Sequence, residues 1–315
     1  MANEITNAAG VSNGGRVAEV LSGFMHQNKY DPTDLRPFMR YVPWKAAAGS
    51  ATMSIPKLPA PAAAAAASSE TSGGFSNTAF TTGEAQLTVA LRGLQYQLTD
   101  LLQLTAPGGG AGQDIETLAQ SLQLSIGLDY TDLGCGLFSS VSANVGTTEV
   151  DMSVDDFYDA HFTLLIANAR GQKVAVLHPR QFADLQESAR SESGAAQFRS
   201  DTSSLLNAAQ VGGGVTADFL GVRIVAADSV ATANAGEDRQ GCMWVEGAIA
   251  YSFAPAMLIQ PNLDPSEIYR GIISDDFFIE RVRDGANSMT TLMAKHYPAV
   301  TLVEDGLAVT ITTDA

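Results

Sequence analysis

Two strand-like runs in this chain flank a tract that cannot build a core. Residues 51–58 (ATMSIPKL) and 84–99 (EAQLTVALRGLQYQLT) alternate apolar with polar or small side chains. That is the period of a β-strand, and the two runs read as the sides of one long hairpin. Between them lies PAPAAAAAASSETSGGFSNTAFTTG, residues 59–83, where Ala, Ser, Thr and Gly predominate and Phe75 and Phe80 stand alone. No tertiary core can be assembled from such a tip, and phenylalanines exposed on a lone loop are a liability. The tip is therefore expected to gain its order on something else, such as a neighbouring subunit, with Phe75 and Phe80 docking there.

Ahead of the hairpin, residues 1–50 read as an extended arm with one short amphipathic helix at 17–25. The run Asp31-Pro32, Arg36-Pro37 and Val42-Pro43-Trp44 excludes a long helix, since each proline removes a donor and restricts the residue before it. After three glycines at 108–110, Ile115, Leu118, Ala119, Leu122 and Ile126 recur at helical spacing. They predict an amphipathic helix over 114–132, capped by Asp114 and ended by Leu133-Gly134-Cys135-Gly136. Ser153 and the acidic turn Asp155-Asp156 open a helix over 154–169; a buried strand at 173–177 and a proline-initiated helix over 179–189 follow. Helix, strand and helix so close together form an α/β packing unit. Residues 190–220 read as a polar, glycine-rich connection, 222–226 as a strand, 228–241 as a loop and 242–253 as a second strand. The runs at 277–282, 288–297, 299–303 and 307–312 read as one small antiparallel sheet.

At 315 residues and 45% hydrophobic, the chain can bury a sizeable core in two compact units or one elaborate one. Lys and Arg number 18 against 34 Asp and Glu, a net charge of −16, and only five of the cations are lysines. Tight DNA binding, which needs basic side chains to neutralise phosphates, is disfavoured, and so is an anionic membrane surface. No secretory signal or spanning helix is visible, and Cys135 and Cys242 sit in apolar neighbourhoods as buried thiols, which together point to a cytoplasmic origin.

Catalytic constellations are absent: no phosphate-binding loop, zinc-helix motif, paired-cysteine motif or nucleophile elbow occurs. Gly134-Cys135-Gly136 begins like a dinucleotide loop but lacks the third glycine and a preceding strand. His26, His161, His178 and His296 are scattered, and although His161 and His178 would approach one another if their elements packed, no Cys or Glu lies at ligand spacing around either. Asp155-Asp156 suits a helix dipole, and Asp275-Asp276 marks a turn. Lys57, at the end of the first hairpin strand, reads as a solvated lysine, with an inter-subunit ion pair or isopeptide bond as the other possibilities. No catalytic, cofactor-binding or metal-binding residue is expected.

The elements occur in a recognisable order, carried by LRGLQYQLTDLLQLTAPGGGAGQDIETLAQSLQLSIGLDYTDLGCGLF, then DDFYDAHFTLLIANARGQKVAVLHPRQFADLQ, then FLGVRIVAADSVAT. From about residue 30 the chain resembles the major capsid proteins of tailed bacteriophages, the Hong Kong ninety-seven fold. The resemblance implies an α+β fold with an N-arm at 1–49 and an extended E-loop hairpin at 50–98. It further implies a peripheral domain at 99–145 with a spine helix at about 113–133, an axial domain at 146–265, and a return into the peripheral sheet at 266–315. It implies a non-enzymatic coat protein of the virion capsid, assembling in the bacterial host cytoplasm as pentamers and hexamers around double-stranded DNA that it does not bind specifically. A portal protein and, because a fused scaffolding segment has no room here, a separate scaffolding protein are the expected partners. Trp44, Lys57, Phe75, Phe80, Arg92 and Tyr96 are the candidate inter-subunit contacts. Lys57 lies at the loop's base and not its tip, so covalent cross-linking is not expected. An encapsulin-like compartment enclosing enzyme cargo is the alternative within the same fold, and a soluble α/β metalloenzyme using His161 or His178 the distant one.

Overall fold

The computed structural model describes residues 34–45, 50–57, 83–99, 111–191, 209–211, 214–254, 268–274, 277–285 and 287–314. The helix expected at 17–25 and the tract carrying Phe75 and Phe80 lie outside them. The chain first forms β1 (Arg40–Tyr41), β2 (Thr52–Lys57), β3 (Gly83–Thr88), β4 (Arg92–Thr99) and the long helix α1 (Ala111–Gly136). Next come β5 (Asn144–Val145), α2 (Val154–Ile166), β6 (Lys173–Leu177), α3 (Pro179–Ser191), β7 (Ala209–Val211), β8 (Gly214–Phe219) and β9 (Val222–Ala226). The remaining strands are β10 (Thr232–Ala233), β11 (Asp238–Val245), β12 (Ile249–Phe253), β13 (Ile268–Ser274), β14 (Phe277–Asp284), β15 (Met289–His296), β16 (Pro298–Leu302) and β17 (Ala308–Asp314).

The described strands form four sheets. The largest runs β5-β17-β11-β6-β9-β8-β7, with β10 alongside β11; the others are β1-β12-β16, β13-β14-β15-β4 and the hairpin β2-β3. Strict alternation divides the large sheet's side chains between two cores. Ala175, Leu177, Met243, Val245, Val309 and Ile311 face Val154, Phe157, Leu164, Phe182 and Leu185 of α2 and α3. Val174, Val176, Cys242, Trp244 and Ala308 face the other way, onto Leu35, Met39, Cys135 and Phe138. Helix α2 starts where a capping box fixes it: the Asp156 amide donates to Ser153 Oγ at 3.2 Å and the Ser153 amide to Asp156 Oδ2 at 3.0 Å. Helix α3 is pinned by the buried Gln181, whose Nε2 donates to the Arg239 and Ile311 carbonyls and to Thr313 Oγ1, while its Oε1 accepts from the His178 amide.

Several sequence expectations are corrected. The run 84–99 is two strands, because Val89, Ala90 and Leu91 leave β3 and carry the chain into a different sheet. The run 242–253 likewise divides at Glu246-Gly247, with β11 in the large sheet and β12 in the three-stranded one. The four C-terminal strands are shared among three sheets: β14 and β15 pair with each other, β16 pairs with β12, and β17 returns beside β11 in the large sheet. Residues 209–211 and 214–219, read as connection, are strands of that sheet. Helix α1 begins at Ala111, so Asp114 lies inside it, and it continues through Gly134 to Gly136. A Cβ at 134 would meet the terminal methyl of Met39, so any larger residue there would make the Met39 side chain shift. The root of the N-terminal arm also has a core role: Leu35 and Met39 are buried, Trp244 Nε1 donates to the Phe38 carbonyl at 3.2 Å, and β1 pairs in parallel with β12. Both cysteines are buried free thiols, and burial pushes Cys135 up to about 12.

Candidate assembly surface

The hairpin is anchored at its root. Met53, Ile55, Ala85 and Leu87 pack on Ala250, Ala299 and Val303, with Val42, Trp44 and Val89 closing the edge. Trp44 is thus half-buried within its own subunit. Lys57 pairs with Gly83 at the far end of the described hairpin, and its aliphatic stem lies along that glycine. Phe75 and Phe80 are outside the described residues.

Arg92 and Tyr96 lie on β4, which ends its sheet and pairs only with β15 among the described strands. Alternation puts Arg92, Leu94 and Tyr96 on one face. The five consecutive residues Leu91–Gln95 are all exposed, including Leu91 at 59% and Leu94 at 41%. A cleft of about 440 Å³ separates this stretch from α1, lined by Leu91, Leu94 and Leu128 with Asp129 and Asp132. A second, of about 300 Å³, lies against Gln95, Met293 and Lys295. Gly93 brings the strand onto β15 so closely that a Cβ would drive into the Ala294 carbonyl. An edge strand with exposed leucines is an aggregation hazard unless something covers it.

Three charged or titratable groups meet at the inner end of the larger cleft. The Arg92 guanidinium donates to Asp129 Oδ1 at 2.5 Å, and His296 Nε2 stands 2.8 Å from Oδ2 of the same carboxylate. Burial by itself would raise the Asp129 carboxyl, but the His296 ring and the Arg92 guanidinium outweigh it and hold that group below the ordinary carboxylate value. Sequence reasoning selected Arg92 and missed Asp129 and His296, because no local signal joins residues 37 positions apart on a helix and a strand.

A second exposed apolar patch was also missed. On α2, Phe162, Leu165 and Ile166 are 51%, 46% and 86% exposed, and Tyr158 stacks on Phe162 at 6.1 Å. The signal was present: 158, 162, 165 and 166 follow helical spacing, a second apolar stripe beside the core stripe of Val154, Phe157, Ala160 and Leu164.

The histidines considered for metal chemistry are placed otherwise. His178 Nε2 faces the exposed Asp228 at 3.4 Å, and His161 lies edge-on to Phe162. Among the described residues no group of three or more His, Cys, Asp or Glu is arranged to hold a metal ion, and no helix is long and apolar enough to cross a membrane.

No protein-family model and no curated protein matches the sequence. Solved structures do match. The capsid of cyanophage P-SCSP1u aligns with 88% of this chain and 86% of its own at 8% identity and a TM-score of 0.59. The capsid of cyanophage Pam1 aligns over 91% and 93% at 15% identity and a TM-score of 0.56. The SrpI encapsulin of Synechococcus elongatus aligns over 89% and 86% at 11% identity and a TM-score of 0.55. At these identities the likeness is one of fold.

Proposed function

We propose, from the Hong Kong ninety-seven fold that this chain shares with phage capsid proteins, that it is the major subunit of a tailed-phage head. The observation that carries the reading is the match over nearly the whole of both chains to phage capsid structures. In this reading the large sheet with α2 and α3 is the axial unit around which pentamers and hexamers form. The four-stranded sheet with α1 is the peripheral unit and spine, and β2-β3 is the root of the E-loop. Strand β17 then belongs to the axial unit, so the return into the peripheral unit that begins at about residue 266 ends at about the end of β16. The solvent-facing leucines of β4 and the α2 patch are the surfaces that neighbouring copies cover, with Trp44, Lys57, Phe75, Phe80, Arg92 and Tyr96 at or near those contacts. Many shared contacts of this kind make a shell cooperative.

The net charge of −16 suits a container that lets DNA slide past its wall, with a separate scaffolding protein and a portal completing the particle. The encapsulin neighbour supports a second reading, a compartment that encloses protein cargo. Electron microscopy of native particles, with nucleic acid read by absorbance, tests both. Faceted shells containing DNA are expected. Shells filled with protein would favour the compartment, and a discrete small oligomer that persists when the chain is co-expressed with the other head proteins of its phage would overturn the shell.

A further inference from the structure

Helix α2 carries an outer stripe that its own subunit leaves open, and the charges along that stripe are ordered. Asp155, Tyr158, Asp159, Phe162, Leu165 and Ile166 recur at steps of three and four residues along about 17 Å of helix. They lie on the side away from the core residues Phe157, Ala160 and Leu164. Asp155 and Asp159 are exposed at the N-terminal end, and neither pairs with a cation among the described residues. The cation stands at the other end. Asn168, in a left-handed conformation, terminates the helix, Ala169 turns inward, and the exposed Arg170 donates from Nε to Asn168 Oδ1 at 3.3 Å. Between the two ends the surface is apolar, with Phe162 stacked on Tyr158 at its centre and Leu165 and Ile166 beyond.

We propose that this stripe is where the free chain recognises a second copy of itself, the two α2 helices pairing antiparallel about a twofold axis at Phe162. The order of the charges selects that orientation. Phe162 stands seven residues from Asp155 and eight from Arg170. Turning one helix end for end about Phe162 therefore sets Asp155 of each copy beside Arg170 of the other, with Tyr158 against Ile166. A parallel pair would put acid on acid and base on base. The antiparallel pair also takes the exposed Phe162, Leu165 and Ile166 side chains out of water. A contact one helix long falls short of the roughly 1,200 Å² of stable complexes, so the pair is weak and reversible.

The pair goes beyond the shell reading and does not rest on it. A twofold contact uses the same surface on both copies and closes on itself, whereas a ring of five or six needs two different surfaces on each subunit. The α2 pair is therefore a state of the unassembled chain. It keeps an apolar patch covered while the chain is free, and it must part before α2 can meet a neighbour in a capsomer.

The test is sedimentation velocity of the full-length, unassembled chain over about 1 to 300 μM, where a weak association shows as a monomer–dimer equilibrium. Phe162→Asp should weaken the dimer at least about tenfold, since it sets two carboxylates against each other at the axis. Asp155→Lys and Arg170→Glu should each weaken it by about three- to tenfold, because the symmetry turns two exposed ion pairs into two repulsions. Combining Asp155→Lys with Arg170→Glu should restore the native constant. The two positions lie at opposite ends of the helix, about 20 Å apart, so neither compensates the other within one chain and the rescue reads contact between copies. All three residues are exposed, and circular dichroism checks that each variant keeps its fold. A native chain that stays monomeric over the whole range overturns the proposal without recourse to any variant. So do a dimer that Phe162→Asp leaves intact, single charge defects that the double variant does not repair, and rings that form with no dimer before them.

Discussion

The large sheet and the four-stranded sheet use alternating strands of the same kind, yet they finish in opposite ways. In β6 and β11 both faces are covered, one by α2 and α3 and the other by the arm root and the end of α1. In β4 the stretch nearest the hairpin is exposed along its length and bounded by clefts. The first region owes its stability to contacts within one chain. The second leaves apolar surface for contacts that one chain does not make. Changes in the first should cost folding, and changes in the second should cost assembly.

Trp244→Ala should have the largest effect on the subunit. It removes a fully buried indole that stands 5.7 Å from the Phe138 ring and donates to the Phe38 carbonyl. A loss of about 3–5 kcal/mol is expected, read by denaturant unfolding of unassembled subunits. Gln181→Ala comes next. It strips partners from the Arg239 and Ile311 carbonyls and the His178 amide behind α3, at about 1–3 kcal/mol by the same assay. A negligible change in either variant would mean that the large sheet is not the part of the subunit that holds it together.

Leu94→Asp and Ile166→Asp probe the other side of the comparison. Both residues are exposed, so subunit stability should stay within about 0.5 kcal/mol of the native value. Particle yield on co-expression with the proposed scaffolding and portal partners should nevertheless collapse, since a carboxylate cannot be buried unpaired against a neighbour. Normal particles from both variants would remove these two patches from the proposed subunit contacts.

Local signals in the sequence identified what local physics decides. The Ser153 cap, strand 173–177 and the proline start of α3 are each set within a few residues, and the structure has them where the sequence put them. Sheet membership was not legible, because it depends on partners far along the chain. Strand β17 alternates Val309 and Ile311 with Thr310 and Thr312, the pattern of a half-buried strand, yet both its faces are buried, and nothing in that pattern names β11, some 70 residues earlier, as its neighbour. Strands β7 and β8 were hidden by glycines that also suit a connection. At the candidate surface the resemblance offered Arg92 and Tyr96 as contacts. It could not mark Asp129 and His296, whose roles arise only when α1 crosses β4 and β15.

The smallest expected effect is a slope with pH. His161 on α2 is held below the ordinary histidine value because burial disfavours its charged form, and the nearby Lys173 repels that form further. Its Nδ1 is buried without a hydrogen-bond partner among the described residues. The unfolded chain therefore binds this proton at a higher pH than the folded one. The His161 contribution to stability is complete above the unfolded value, about pH 6.5, and is lost as the pH falls from there toward the folded value. His161→Asn should flatten that part of the stability profile, measured by urea unfolding in steps from pH 7.5 to 5. Because His161 is partly exposed, the change is a shallower slope and not a shifted midpoint at neutral pH. Profiles that stay parallel would show that α2 meets water at His161 more freely than its packing against Phe162 implies. The line between the covered and open regions would then pass through the middle of that helix and not along its outer stripe.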